Sequence, residues 1–210
     1  MPVSARNPKL VLAVLSLGIF MTLLDLTIVN IAIPSIVDSL HASLDQVLWV
    51  LNAYSLLYAV LLITAARLGD LFGQRNLFVA GIVIFTAASV LSGLAQDPTQ
   101  LILARAGQGL GAAVLAPQGL PIMLSVFPVE RRGGVFAVYG ILAGLAVVAG
   151  PTLGGFLVTH FGWRLVFASS SATSVGPLPA NGPVHGRGYG RIPASGPSWR
   201  SGSRSRDPSP

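Results

Sequence analysis

The chain has 210 residues, of which 52% are hydrophobic and 10% charged, and its mean hydropathy is +0.72. Soluble domains carry about 25% charged residues, so this composition excludes a soluble protein and indicates an integral membrane protein in contact with lipid. The absence of cysteine excludes disulfides and thiolate metal sites. The net charge of +6 does not indicate nucleic-acid binding, because most of it comes from five arginines after Ala168.

Five apolar segments follow one another in the sequence, and a helix of about 20 such residues crosses a bilayer. We place them approximately at Leu10–Ile33, Val47–Leu68, Leu77–Ala95, Leu101–Val126 and Val135–Val158. The first is longer than the apolar core of a signal peptide, so we predict an uncleaved helix. The fold class is therefore an all-α membrane protein, a bundle of five spans whose short connections make successive helices antiparallel neighbours.

Lysine and arginine collect on the cytoplasmic side of membrane proteins. Here they fall at the amino end and in the second and fourth connections, at Arg6, Lys9, Arg67, Arg75, Arg131 and Arg132. We therefore predict a multi-pass protein of the plasma (inner) membrane with a cytoplasmic amino terminus. Trp49 and Trp163 fall near predicted span ends, as interfacial aromatic residues do.

The sequence changes character after Phe167. A sixth apolar stretch, Leu165–Val175, spans only about half the hydrocarbon thickness as a helix. The residues that follow are mostly Gly, Pro, Ser and Arg, which predicts disorder. We therefore divide the chain into an incomplete membrane domain, 1–168, and a tail, 169–210. The tail is either a natural regulatory segment or the product of a shifted reading frame, and the break inside a helix favours the shift.

Asp25 lies within the first apolar segment, where a carboxylate costs about 2.5–3.5 kcal/mol to insert. Acidic residues at such depth usually serve ion or proton traffic, although one can simply hydrogen-bond neighbouring helices. Asn30 adds a second polar group to this helix, and Pro34 is expected to weaken its outer end. In the fourth segment Arg105 and Gln108 are also polar. Arg105 either pairs with Asp25, the other charge within the spans, or extends to the membrane interface.

Two further motifs lie at a connection and in the fifth segment. The second connection contains Gly69-Asp70-Leu71-Phe72-Gly73-Gln74-Arg75, in which glycine permits a tight turn. A helix hairpin that carries cytoplasmic positive charge, as the positive-inside rule expects, explains the arginines of this segment but not its Gly/Asp spacing. The fifth segment contains Gly150-Pro151-Thr152-Leu153-Gly154-Gly155, in which small residues predict a close packing face. Weaker polar signals within the spans are Asn52, Tyr54 and Gln118.

These motifs resemble those of the major facilitator superfamily, in particular its drug:proton antiporter branch with about fourteen helices built from repeated halves. The resemblance covers residues 1–168. Ala66, Leu71 and Gln74 depart from the family's cytoplasmic loop motif, which suggests a weaker latch between the halves. The resemblance implies a loop motif at Asp70, Gly73 and Arg75, and an antiporter helix motif at Gly150, Pro151, Gly154 and Gly155.

The resemblance further implies proton-coupled efflux of small amphipathic organic substrates, with no cofactor and no enzymatic activity. It assigns proton coupling to Asp25 and Arg105, and a substrate cavity to Asn30, Asn52, Tyr54, Gln108 and Gln118. Since such transporters bind substrate between two halves, this chain is expected to be inactive without a carboxy-terminal half or an intact partner transporter. The alternatives are a small non-transporting membrane subunit and a symporter, and the Gly-Pro-x-x-Gly-Gly motif disfavours the symporter.

Overall fold

A computed structural model describes residues 8–167, with side chains from Val11 onward. It contains five long helices, which are α1 (Pro8–Leu40), α2 (Leu44–Phe72), α3 (Gln74–Leu94), α4 (Pro98–Val126) and α5 (Val129–Phe161). Residues 163–167 begin another helical segment. All five helices are long and apolar enough to cross a membrane, so the predicted five-span, all-α fold is confirmed. The predicted tail and most of the short sixth stretch lie outside the described residues.

The helix ends differ from the predicted span limits because helical hydrogen bonding continues beyond the apolar residues. α1 runs through Pro34 to Leu40, so Pro34 does not end the helix, and a weakened outer end stays a prediction. A proline removes one backbone hydrogen bond, and the helix continues on both sides of it. α2 begins at a capping box in which the Ser43 amide donates to Gln46 Oε1 (2.9 Å) and the Gln46 amide to Ser43 Oγ (3.4 Å).

The bundle consists of two packed groups of helices. α4 lies along both α2 and α3, whereas α5 lies along α1, and the α1–α4 contact that joins the groups is smaller. Glycines of α4 permit its close packing on α2 and α3. A Cβ at Gly109 would collide with the Tyr54 backbone of α2, and one at Gly111 with the Phe85 backbone of α3. The described apolar core has two parts that meet along α1, one containing Leu15 and the other beginning at Leu24. Asp25 therefore lies where the two parts meet.

Candidate functional site

Asp25 of α1 and Arg105 of α4 form an ion pair in the interior of the bundle. Arg105 Nη1 lies 2.5 Å from Asp25 Oδ2, and the two residues are 0% and 1% exposed. Removing two charges from water costs several kcal/mol per ion, which their attraction repays only with good geometry and further hydrogen bonds. Arg105 therefore does not extend to the interface as an isolated charge; it lies inside the bundle, at the contact between the two helix groups.

Arg105 has three other partners besides the carboxylate. Its Nε donates to the Val50 carbonyl at 3.3 Å, and its Nη1 also donates to Gln108 Oε1 at 2.9 Å. The Tyr54 ring covers the guanidinium, with its centroid 4.5 Å from Arg105 Cζ, a cation–π distance. Val50 and Tyr54 both belong to α2. The guanidinium is thus held within the α2–α3–α4 group by contacts that do not depend on Asp25.

Gln108 completes the network and joins it to α3. Its Nε2 donates to Asp25 Oδ1 at 3.2 Å and to Ser89 Oγ at 2.8 Å. Ser92 Oγ lies 3.2 Å from Gln108 Oε1 and 2.9 Å from the Ala88 carbonyl, so these two acceptors share its single hydrogen. Both ends of the amide are therefore satisfied, as a buried polar group requires.

Sequence reasoning missed Ser89 and Ser92. The available signal was their spacing of three residues on an otherwise apolar helix, which places both hydroxyls on one helix face. Serine is too common in membrane helices for that spacing alone to identify a site, and only the packing of α3 on α4 brings the pair to Gln108.

The five predicted cavity residues fall into two sets. Tyr54, Gln108 and Gln118 are buried between helices, and Gln118 Nε2 donates to the Ala65 carbonyl of α2 at 2.9 Å. The side chains of Asn30 and Asn52 lie on the exposed surface of the helices. Asn30 Nδ2 donates to the Leu26 carbonyl of its own helix at 2.9 Å, which leaves its side-chain oxygen available.

The predicted loop motif is almost entirely helical. Gly73 alone separates α2 from α3, and its φ of +89° is a conformation that favours glycine. Its amide donates to the Gly69 carbonyl at 3.0 Å, which closes the last turn of α2. Asp70 consequently lies in the last turn of α2 and Arg75 in the first turn of α3. The observed connection is therefore shorter than the one predicted from the sequence.

The four residues of the fifth-helix motif have different surroundings. A Cβ on Gly150 would overlap the Thr27 hydroxyl, and one on Gly154 would overlap the Ile28 side chain. A Cβ on Gly155 would meet nothing within 4 Å, and Pro151 is exposed. Gly150 and Gly154 therefore allow α5 to approach α1 within one helical turn of Asp25.

No group of three or more metal-binding side chains occurs in the described part of the chain. The network around Asp25 consists instead of one carboxylate, one guanidinium, one amide and two serine hydroxyls, with a tyrosine ring over the guanidinium. Because the carboxylate and the guanidinium belong to different helices, their attraction holds α1 against α4.

The family model described as Major Facilitator Superfamily matches residues 15–176. A multidrug resistance protein of Mycobacterium tuberculosis is 39% identical over 163 residues, covering 77% of this chain and 30% of the relative. The tetracenomycin C resistance and export protein of Streptomyces glaucescens is 39% identical over 161 residues, with the same two shares. An uncharacterized transporter of M. tuberculosis is 43% identical over 162 residues, covering 77% of this chain and 28% of the relative. The chain thus spans less than a third of the length of these relatives.

Among solved structures, a bacterial homologue of the human lysosomal transporter Spinster superposes with a TM-score of 0.67 at 21% identity. The match covers 91% of this chain and 47% of that structure, and it shows a shared fold. The family model matches most of the chain, and the relatives align with about three quarters of it, as the sequence motifs predicted. The chain belongs to the Major Facilitator Superfamily.

Proposed function

We propose that the five helices form the amino-terminal part of a proton-coupled exporter of small amphipathic organic molecules. The observation that carries this proposal is the buried network of Asp25, Arg105 and Gln108, which places a carboxylate between two helix groups. The printed names of the relatives, multidrug resistance and antibiotic export, support efflux as the direction and small organic compounds as the substrates. In this proposal the protein lies in the plasma membrane with its amino terminus in the cytoplasm.

The proposed coupling step is protonation of the Asp25 carboxylate. The charged carboxylate attracts Arg105 and so holds α1 against α4, and the added proton removes that attraction. Arg105 keeps the Val50 carbonyl, Gln108 Oε1 and the Tyr54 ring as partners. Its guanidinium therefore remains stabilised after the carboxylate has been neutralised. The two helix groups then separate or shift at this contact.

Asn30 and Asn52 are the proposed substrate contacts because they are exposed, whereas Tyr54, Gln108 and Gln118 support the helices around them.

The test uses efflux of a fluorescent dye from cells. The 210-residue chain alone should give the efflux of an empty vector, because alternating access requires a second half. Residues 1–167 joined to the remaining part of the tetracenomycin exporter should restore dye export that stops when the proton gradient is dissipated. Efflux by the chain alone would contradict the need for a second half.

Two variants of the joined protein separate proton coupling from folding. Asp25→Asn retains the shape of the side chain but cannot exchange a proton, so it should abolish proton-driven efflux at unchanged membrane abundance. Asp38→Asn is the matched control, because Asp38 is an exposed carboxylate on the same helix. Export by Asp25→Asn at the parent rate, with the same dependence on the pH gradient, would make Asp25 a structural residue.

A further inference from the structure

Trp163 and Arg164 form a fixed corner where the chain leaves α5, which we name the Trp163–Arg164 corner. Trp163 Nε1 donates to Ser39 Oγ of α1 at 2.7 Å. Arg164 Nη2 donates to the Ala95 carbonyl at the end of α3 at 3.0 Å, and its Cζ lies 4.6 Å from the centre of the Trp163 ring. The guanidinium is thus held by a hydrogen bond on one side and by an indole ring on another.

Arg164 forms no ion pair with a carboxylate among the residues that the structure describes. Arg164 is exposed, and a guanidinium has five N–H donors, of which the Ala95 carbonyl accepts one. Because its orientation is already fixed, binding of an acceptor loses less side-chain freedom than at a free arginine. The corner therefore presents an oriented cation with unused donors.

An apolar groove of about 220 Å³ adjoins the corner. It is lined by Val90, Gly93, Leu94, Arg164 and Leu165. The neighbouring surface of α3 exposes Val83, Val90, Leu91 and Leu94, a face that suits hydrocarbon. Ala95 directly follows the last residue of α3, so Arg164 lies at the depth where a membrane helix ends and the headgroups begin.

We propose that this corner and groove bind one phospholipid, with its phosphodiester on Arg164 and the upper part of an acyl chain in the groove. Arginine recognises phosphate oxygens through two parallel N–H donors, and the groove offers apolar surface beside that cation. Ser39 and Ala95, the partners of the corner, have Asp38 and Asp97 as near neighbours in sequence. These two carboxylates offset the attraction of Arg164 for a net negative headgroup. The recognised chemistry is therefore the phosphodiester that all glycerophospholipids share. This inference requires only that the helices span a membrane, not that the chain transports a substrate.

The test is native mass spectrometry of the purified 210-residue chain with added lipid. The probes are phosphatidylethanolamine, phosphatidylglycerol and a galactosyl diacylglycerol, all with the same two acyl chains. We expect one tightly held molecule of either phospholipid and at least about tenfold weaker binding of the phosphate-free galactolipid. Equal retention of all three lipids would overturn the proposal, and so would displacement of the phospholipid by inorganic phosphate, which would indicate a site for a free anion.

Variants assign the binding to the corner. Arg164→Gln should weaken phospholipid retention about tenfold, whereas Arg131→Gln, which removes an exposed arginine at the other end of α5, should not change it. Equal loss in both variants would overturn the proposal. Arg164→Lys retains the charge and should keep part of the binding. Leu94→Trp fills the groove, leaves Arg164 in place and should also weaken retention, which tests the groove even if Arg164→Gln fails to fold. Unchanged retention in Leu94→Trp would contradict the groove assignment.

Discussion

Gly150 of α5 packs so closely against Thr27 of α1 that a single added methyl group would overlap the threonine hydroxyl. Thr27 Oγ1 in turn donates to the Leu24 carbonyl of its own helix at 2.9 Å, so this hydroxyl is held in place. The contact lies within one turn of Asp25. The packing of α5 and the position of the Asp25 carboxylate are therefore linked through Thr27 and Leu24, which flank Asp25 on α1.

We expect Gly150→Ala to destabilise the chain by about 1–3 kcal/mol, the cost of overpacking a close contact. Gly144→Ala is the matched control on the same helix, because a Cβ there would meet nothing within 4 Å. The measurement is the midpoint of thermal unfolding of the purified chain in detergent. Adding Thr27→Ala to Gly150→Ala should restore part of the loss, and equal midpoints for the two single variants would show that α5 does not approach α1 closely here.

Removing Arg105 alone should be more damaging than removing the whole ion pair. Arg105→Met leaves the Asp25 carboxylate buried without its cation, at a cost of about 3–5 kcal/mol. The double variant Arg105→Met with Asp25→Leu removes both charges and should recover much of that stability. Denaturant unfolding in mixed micelles gives the comparison, and a double variant less stable than Arg105→Met would mean that Asp25 has other strong partners.

Ser89→Ala should destabilise the polar network by about 1–3 kcal/mol, because it removes an acceptor of the buried Gln108 amide. Ser125→Ala is the control, since Ser125 is exposed and its hydroxyl donates only to the Ile122 carbonyl, at 2.7 Å. Thermal unfolding of the two variants measures the difference. A loss that is the same in both would indicate that Ser89 contributes no more than a surface hydroxyl.

The proposed orientation is testable without altering any native cysteine, because the chain has none. Asn76→Cys and Gln96→Cys place single thiols at exposed positions near opposite ends of α3. A membrane-impermeant maleimide added to intact cells should label the cysteine at position 96 and not the one at position 76. The reverse labelling would place the amino terminus outside and invert the proposed topology.

The sequence predicted the helices well because hydropathy reports directly which segments can lie in hydrocarbon. It left two interpretations of Arg105 open, pairing with Asp25 or extension to the interface, and the ion pair in the structure decides for the first. Helix ends were less predictable, because Ser43, Gly73 and the residues after Pro34 follow local hydrogen bonding rather than hydropathy.

The partners of the polar residues were the least predictable part of the site. Gln118 and Asn52 look equivalent in sequence, as single polar residues in apolar spans. The first is buried against α2 and the second is exposed, a difference that depends on how α2 rotates against α4. Ser89 and Ser92 likewise become part of the site only through the packing of α3 on α4.

The bundle divides into an α1–α5 pair and an α2–α3–α4 group, and Asp25 lies at the contact between them. The carboxylate belongs to the first group, while its partners Arg105 and Gln108 belong to the second. Each group is internally packed through glycines whose contacts do not involve charge. In the proposed coupling, a change of charge at Asp25 would alter how firmly the two pieces adhere, whereas the glycine contacts within each piece would remain.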